Sequence, residues 1–194
     1  MTVALFDIDG TLLLTPDLVA VRAILDAIDP SLPDDAFLRL PHAGQTALWQ
    51  VKQILGHAPD PGWCARAERR YAELLGETDH WRMPARVEEV LGALQMRGVA
   101  LALLTGVPEG IARLRLVRLG LAQFFPDGQG AFGCESADRA ELIGLALARA
   151  GVSPGDAVEI GDTPLDESTA HNAGVRSIRV DKLDSFADLL KLVA

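Results

Sequence analysis

The sequence predicts a layered α/β protein built on a parallel sheet, and three observations predict it. Apolar runs of strand length recur, the first being Val3 to Phe6. From Pro84 onward such runs alternate with amphipathic helical stretches, which implies parallel strands joined by right-handed crossovers. Between the first strand and that alternation, from Thr15 to about Arg82, the patterning is helical throughout. With 49% apolar and only 5% aromatic residues, the 194-residue chain suits a Leu/Ala/Val-rich core of one substantial domain with a small accessory domain.

The elements follow in order. Pro16 to Ile28 has apolar residues at helical spacing, with Pro16 and Asp17 suited to a first turn. The stretches "GQTALWQVKQILG" and "GWCARAERRYAELLG" read the same way, closed by Gly56 and Gly76. Pro- and Asp-rich breaks, "DPSLPDD" and "HAPDPG", separate these helices. Then come the helix "ARVEEVLGALQMRG", the strand "VALALLTG", and the helices "PEGIARLRLVRLG" and "DRAELIGLALARAG". The strand "DAVEIGDTP" runs into a turn, followed by the helix "LDESTAHNAG", the strand "VRSIRV" and a closing helix near "SFADLLKLV". No internal repeat or low-complexity tract interrupts the pattern.

Charge and composition exclude several function classes. A formal net charge of −9 argues against general affinity for nucleic acid or anionic membrane. No apolar run reaches the length of a membrane span. The start "MTVALFDIDG" has acids where a signal peptide would be apolar. Cys64 and Cys134 have no metal-ligand spacing and make no disulfide framework, so the expectation is a cytoplasmic protein with reduced thiols.

The chemistry gathers at strand ends. Asp7, Thr105 and Asp162 each close an apolar strand, and a parallel sheet brings such positions together at its carboxyl edge. The edge thus presents the acids Asp7 and Asp9, a hydroxyl, and the acids Asp162 and Asp166. Acids and Gly10 after one strand make an ordinary turn. Three such tips in one sheet are a stronger signal, because clustered carboxylates repel and resist desolvation unless a cation sits among them.

The stretches "DIDGTLL", "LLTG" and "GDTPLDESTAHNAG" resemble, in order, the signature motifs of the haloacid dehalogenase-like hydrolase superfamily, especially its phosphoglycolate phosphatase-like branch. The resemblance covers almost the whole chain. It implies a doubly wound, Rossmann-like parallel sheet (residues 1–14 and 83–194) with a small inserted helical cap (15–82). It also implies Asp7 as the nucleophile that becomes an aspartyl-phosphate and Asp9 as general acid/base. Mg²⁺ would be held by Asp7 and Asp162, by the carbonyl of Asp9, and by Asp166 as an auxiliary or outer ligand. Thr105 and the amide of Gly106 would hold phosphoryl oxygens. Gly10 lets the chain turn sharply under the site, and Thr11 braces that turn.

One departure stands out. The family supplies a lysine between the second and last motifs, but lysine occurs here only at Lys52, Lys182 and Lys191. Arg139 is the nearest replacement, with a fork that suits phosphate. Arg113, Arg115 and Arg118 read as a solvated helix face, Arg149 lies too late in its helix, and Arg66, Arg69 and Arg70 also read as a solvated face. His42, His57, His80 and His171 share no ligand spacing, and Trp49, Trp63, Trp81 and Tyr71 read as packing. The loop Pro41 to Thr46 lies where related caps carry specificity, which nominates Gly44, Gln45 and Thr46 as substrate contacts. The expected function is a Mg²⁺-dependent phosphatase of a small phosphorylated metabolite. The alternatives are a sugar phosphomutase of the same superfamily, which shares the core motifs, and a non-catalytic phosphoryl-sensing or partner-binding protein. A dehalogenase fits less well, since it needs neither metal nor an acid/base at Asp9.

Overall fold

The computed structural model describes residues 1–40 and 43–193, so the expectations for Pro41 and His42 lie outside the described residues. Five parallel strands form one sheet in the order β3-β2-β1-β4-β5. Central β1 (Val3–Phe6) pairs in register with β2 (Ala100–Thr105) and β4 (Ala157–Gly161). β3 (Ala131–Phe132) extends the sheet beyond β2, and β5 (Arg176–Arg179) beyond β4. The sequence pattern gives no sign of β3, because two residues are too few to show a period.

Side-chain alternation splits the core into two layers. Ala4, Phe6, Leu101, Leu103, Val158 and Ile160 point to one face, covered by α4 (Val87–Met96), α5 (Glu109–Leu119) and the one-turn helix α8 (Leu189–Leu192). Val3, Leu5, Ala102, Leu104 and Ala157 point to the other, covered by α6 (Arg139–Ala150) and α7 (Pro164–Asn172). Helices on both faces make the sheet doubly wound, as expected.

The helical segment after β1 has its own apolar cluster. α1 (Leu18–Ile28), α2 (Ala47–Leu55) and α3 (Trp63–Leu74) bury Ile24, Leu25, Val51, Trp63 and Tyr71 together, and Ile111 of α5 joins them. Asp17 caps the start of α1 rather than lying within its first turn, its Oδ1 accepting from the amides of Val19 and Ala20. α2 starts at Thr46, whose hydroxyl accepts from the Trp49 amide. Backbone contacts seat this segment on the sheet edge. The Ala47 amide donates to the Gly106 carbonyl at 2.7 Å, the Leu48 amide to the Gly133 carbonyl at 2.9 Å, and the Gly110 amide to Glu68 at 2.8 Å.

A disulfide joins Cys64 of α3 to Cys134, just past β3. The expectation of two free thiols is therefore corrected. Seventy residues separate the two cysteines in sequence, and only the docking of α3 beside β3 brings them together. Among the described residues no helix is long and apolar enough to cross a membrane.

Candidate active site

The carboxyl edge of the central strands carries a buried acid cluster. Asp7 follows β1, and its amide donates to the Ile160 carbonyl, extending the β1–β4 ladder by one residue. Its Oδ1 accepts from the Ile8 amide at 2.8 Å. Asp162 follows β4, and Asp166 lies in the first turn of α7, where Thr163 and Asp166 cap each other reciprocally. Asp7, Asp162 and Asp166 each offer one oxygen, and these lie within 4.8 Å of one another. Gly10 makes room for this arrangement. Its φ is 76°, and a Cβ there would collide with the Asp162 carboxylate.

Burial pushes the Asp7 carboxyl well above the usual carboxylate range, with Arg139 pulling it back and Asp166 and Asp9 adding repulsion. Burial, then Asp166, raises Asp162 as well. Asp162 Oδ1 and Asp166 Oδ1 are buried without a hydrogen-bond partner. A hard divalent cation satisfies such oxygens and favours the ionised form, so the donor set fits Mg²⁺. Thr105, at the end of β2, is fully buried, and its hydroxyl also lacks a partner.

Arg139 reaches this cluster from the start of α6. Its Nη2 lies 2.5 Å from Asp166 Oδ1 and 3.6 Å from Asp7 Oδ2, yet neither Nη2 nor Nε is aligned for a hydrogen bond. Its Nη1 donates to the Gly44 carbonyl at 3.0 Å. The loop expected to contact substrate thus packs directly on the strand tips. Gly44 meets Arg139, the buried Thr46 caps α2, and the Gln45 carbonyl lies so close to Gly106 that any Cβ there would strike it.

Asp9 stands apart from the acid cluster. Its carboxylate is gripped by Arg115 of α5, whose Nη1 lies 3.0 and 2.9 Å from the two oxygens. The reading of Arg115 as part of a solvated face is corrected: it is only 2% exposed. Its Nε donates to Asp17 Oδ2 at 2.9 Å, and the Tyr71 hydroxyl donates to the same oxygen at 2.6 Å. A signal was available in the sequence. The buried residues of α5 are Ile111, Ala112, Arg115, Leu116 and Leu119, so Arg115 occupies the apolar stripe itself.

Its neighbours differ. Arg118 is exposed, whereas Arg113 is partly buried, binds the Phe125 carbonyl and lies over the Phe132 ring. Arg149 pairs with Glu135 beside β3, Arg66 with Asp60, and Arg70 with Asp26. His57, His80 and His171 are exposed, and Trp63 and Trp81 are core residues. The sequence reading also passed over Glu159. It is buried in β4, accepts from the Ser177 hydroxyl at 2.6 Å, and is pushed up to about 7 by burial and then by Asp166.

Comparison with known proteins places this geometry in context. The sequence profile of the family described as haloacid dehalogenase-like hydrolase matches residues 4–180. A phosphoglycolate phosphatase from Rhodospirillum rubrum is 32% identical over 188 residues, covering 88% of this chain and 76% of the relative. A phosphoserine phosphatase from Thermus thermophilus is 31% identical over 226 residues, covering 94% and 89%. Among solved structures, CbbY from Rhodobacter sphaeroides in complex with phosphate aligns over 97% of this chain and 96% of its own, at a TM-score of 0.69 and 22% identity. That last likeness is one of fold.

Proposed function

Because the chain belongs to the haloacid dehalogenase-like hydrolase family, we propose that it is a Mg²⁺-dependent phosphatase of a small, phosphoglycolate-like phosphomonoester, working through an aspartyl-phosphate on Asp7. The observation that carries this reading is the site of Asp7: a buried carboxylate with a buried guanidinium 3.6 Å away, at the edge of an acid cluster with unpartnered oxygens. The two relatives named as phosphatases support the reaction class.

In this reading Asp7 Oδ attacks phosphorus, the bond from phosphorus to the ester oxygen breaks, and its electron pair goes to the leaving oxygen. Asp9 gives that oxygen a proton. Water then attacks the phosphorus of the aspartyl-phosphate and returns a proton to Asp9, releasing phosphate and the Asp7 carboxylate. Arg139, with the Thr105 hydroxyl and the Gly106 amide, offsets charge on the phosphoryl oxygens. Asp7, Asp162 and the Asp9 carbonyl would hold Mg²⁺, with Asp166 as an auxiliary ligand, and the ion supplies neutralisation of the gathered negative charge.

Residues 15–82 act as the cap over a core of residues 1–14 and 83–194. Gly44, Gln45 and Thr46 bring the cap backbone onto the phosphoryl site, which favours a small ester. The enzyme works on a soluble phosphorylated metabolite.

The test is phosphate release from a panel of phosphomonoesters with Mg²⁺ and with EDTA, alongside acid-quench trapping of labelled protein. Mg²⁺-dependent release with a trapped phosphoenzyme is expected. Turnover that survives metal removal, or the absence of a trapped intermediate in Asp9→Asn given 4-nitrophenyl phosphate, whose leaving group needs no acid, overturns the mechanism.

A further inference from the structure

We propose that Arg115 is the positioning residue for Asp9, and that it ties the acid/base carboxylate to the seating of the helical segment through Asp17 and Tyr71. This inference rests on the phosphatase reading and adds to it a residue outside the motif residues.

The geometry separates two jobs of one guanidinium. The Nε end makes a fully buried pair with Asp17, whose side chain is 1% exposed, and Asp17 is fixed in turn by the Tyr71 hydroxyl and the α1 amides. That pair answers the structural need of a buried cation, because each charge is hydrogen-bonded. The Nη1 end reaches further, to both oxygens of Asp9, whose side chain is 47% exposed. An ion pair with so open a carboxylate adds little to stability. It does fix the orientation of a side chain that must meet a leaving oxygen within hydrogen-bond reach. The three partners come from different parts of the chain: Asp9 from the loop after β1, Asp17 from the start of α1, and Tyr71 from α3. A shift of α1 and α3 on α5 therefore moves the anchor that holds Asp9.

The leaving group distinguishes positioning from mere support. An alkyl phosphate must have its leaving alkoxide protonated, whereas 4-nitrophenyl phosphate expels a stable phenolate that needs no acid. kcat/KM reports the steps up to phosphoryl transfer to Asp7, so it isolates that proton delivery. The experiment measures kcat and KM on an alkyl phosphomonoester and on 4-nitrophenyl phosphate for four proteins: wild type, Arg115→Lys, the neutralised double variant Arg115→Met/Asp17→Asn, and Tyr71→Phe. Melting curves check folding. Lysine keeps the charge but loses the fork. The double variant removes the buried pair as a unit, so one of the two survives even where the other is too unstable to assay.

Both Arg115 variants are expected to lose about 10²-fold in kcat/KM on the alkyl ester, the scale of general acid help. The loss on the aryl ester is expected to be at least about tenfold smaller, with the effect carried by kcat and little change in KM. Tyr71→Phe leaves the Nη1 contact with Asp9 intact and is expected to show the same pattern at smaller size. Equal losses on the two esters, or full alkyl-ester activity in Arg115→Lys, overturn the inference while leaving the phosphatase reading standing. A wild-type protein inert on both esters overturns that reading, and the inference with it.

Discussion

Arg139 and Arg115 make an instructive pair. Each is a buried arginine on the inward stripe of its helix, and each serves one of the two acids after β1. Arg139 stands beside Asp7 and Asp166, which are as buried as itself, and its Nε and Nη2 lack aligned partners, as do Oδ1 of Asp166 and of Asp162. Arg115 is engaged at both ends by hydrogen bonds of 2.9 to 3.0 Å. Buried polar atoms without aligned hydrogen-bond partners, Asp162 Oδ1 and the Thr105 hydroxyl among them, are what the proposed binding of a cation and an oxyanion accounts for. A satisfied network marks a place that holds something still. The two regions are one helix apart and chemically opposite in purpose.

The sharpest test of the contrast is at Asp7, the proposed nucleophile. Asp7→Asn keeps the shape and removes the attacking charge, so turnover on every ester is expected at background while the melting curve survives; substantial activity in this variant breaks the assignment. Next comes Arg139→Ala, with an expected loss of about 10²- to 10³-fold, the scale of a lost preorganised charge stabiliser. This loss is expected to be indifferent to the leaving group, unlike that of Arg115, because the role proposed for Arg139 is on the phosphoryl group common to all esters. Arg139→Lys is expected to retain more activity, since charge rather than the fork is needed there.

Metal stabilisation sharpens the ligand-ready side. Mg²⁺ at about 100 times its Kd is expected to add about 2.7 kcal/mol of stability, read as a rise in Tm. Asp162→Ala is expected to abolish that rise and most of the activity, whereas Arg115→Lys is expected to leave the rise in place.

The disulfide provides a second, covalent tie between the helical segment and the sheet, on the β3 side of the molecule. Reduction, or Cys134→Ser, is expected to cost about 2–4 kcal/mol of stability, measured by denaturant titration with and without dithiothreitol. The smallest effect is expected at Glu159. Its carboxyl is raised from 4.5 to about 7 in the folded chain, chiefly by burial. Between those values the folded state holds a proton that the unfolded state releases, so this contribution to stability is lost as pH rises through about 7. In EDTA, Glu159→Gln is expected to flatten the decline in Tm between pH 4.5 and 7; an unchanged slope assigns the decline to other groups.

Much of the architecture was legible because it is written in local pattern. The runs Val3 to Phe6 and Ala100 to Thr105 are apolar enough to read as buried strands, Ala157 to Gly161 is apolar but for Glu159, and parallel pairing brings their ends to one edge. That alone gathers Asp7, Thr105 and Asp162. Arg139 was singled out only through the family resemblance, which places a lysine in an interval where this chain has none. Long-range pairing was not legible. The spacing around Arg115 marks the apolar stripe of α5, but an arginine on a stripe reads equally as a face that turns outward. Its burial depends on Asp17, 98 residues away, arriving to neutralise it, and only then does its other end reach Asp9, 106 residues away. Cys64 and Cys134 likewise meet only because α3 docks beside β3. Sequence determined what each segment would bury and which polar groups its ends would carry. Tertiary structure decided which charges meet, since the cost of burying a charge is set by partners that no local pattern names.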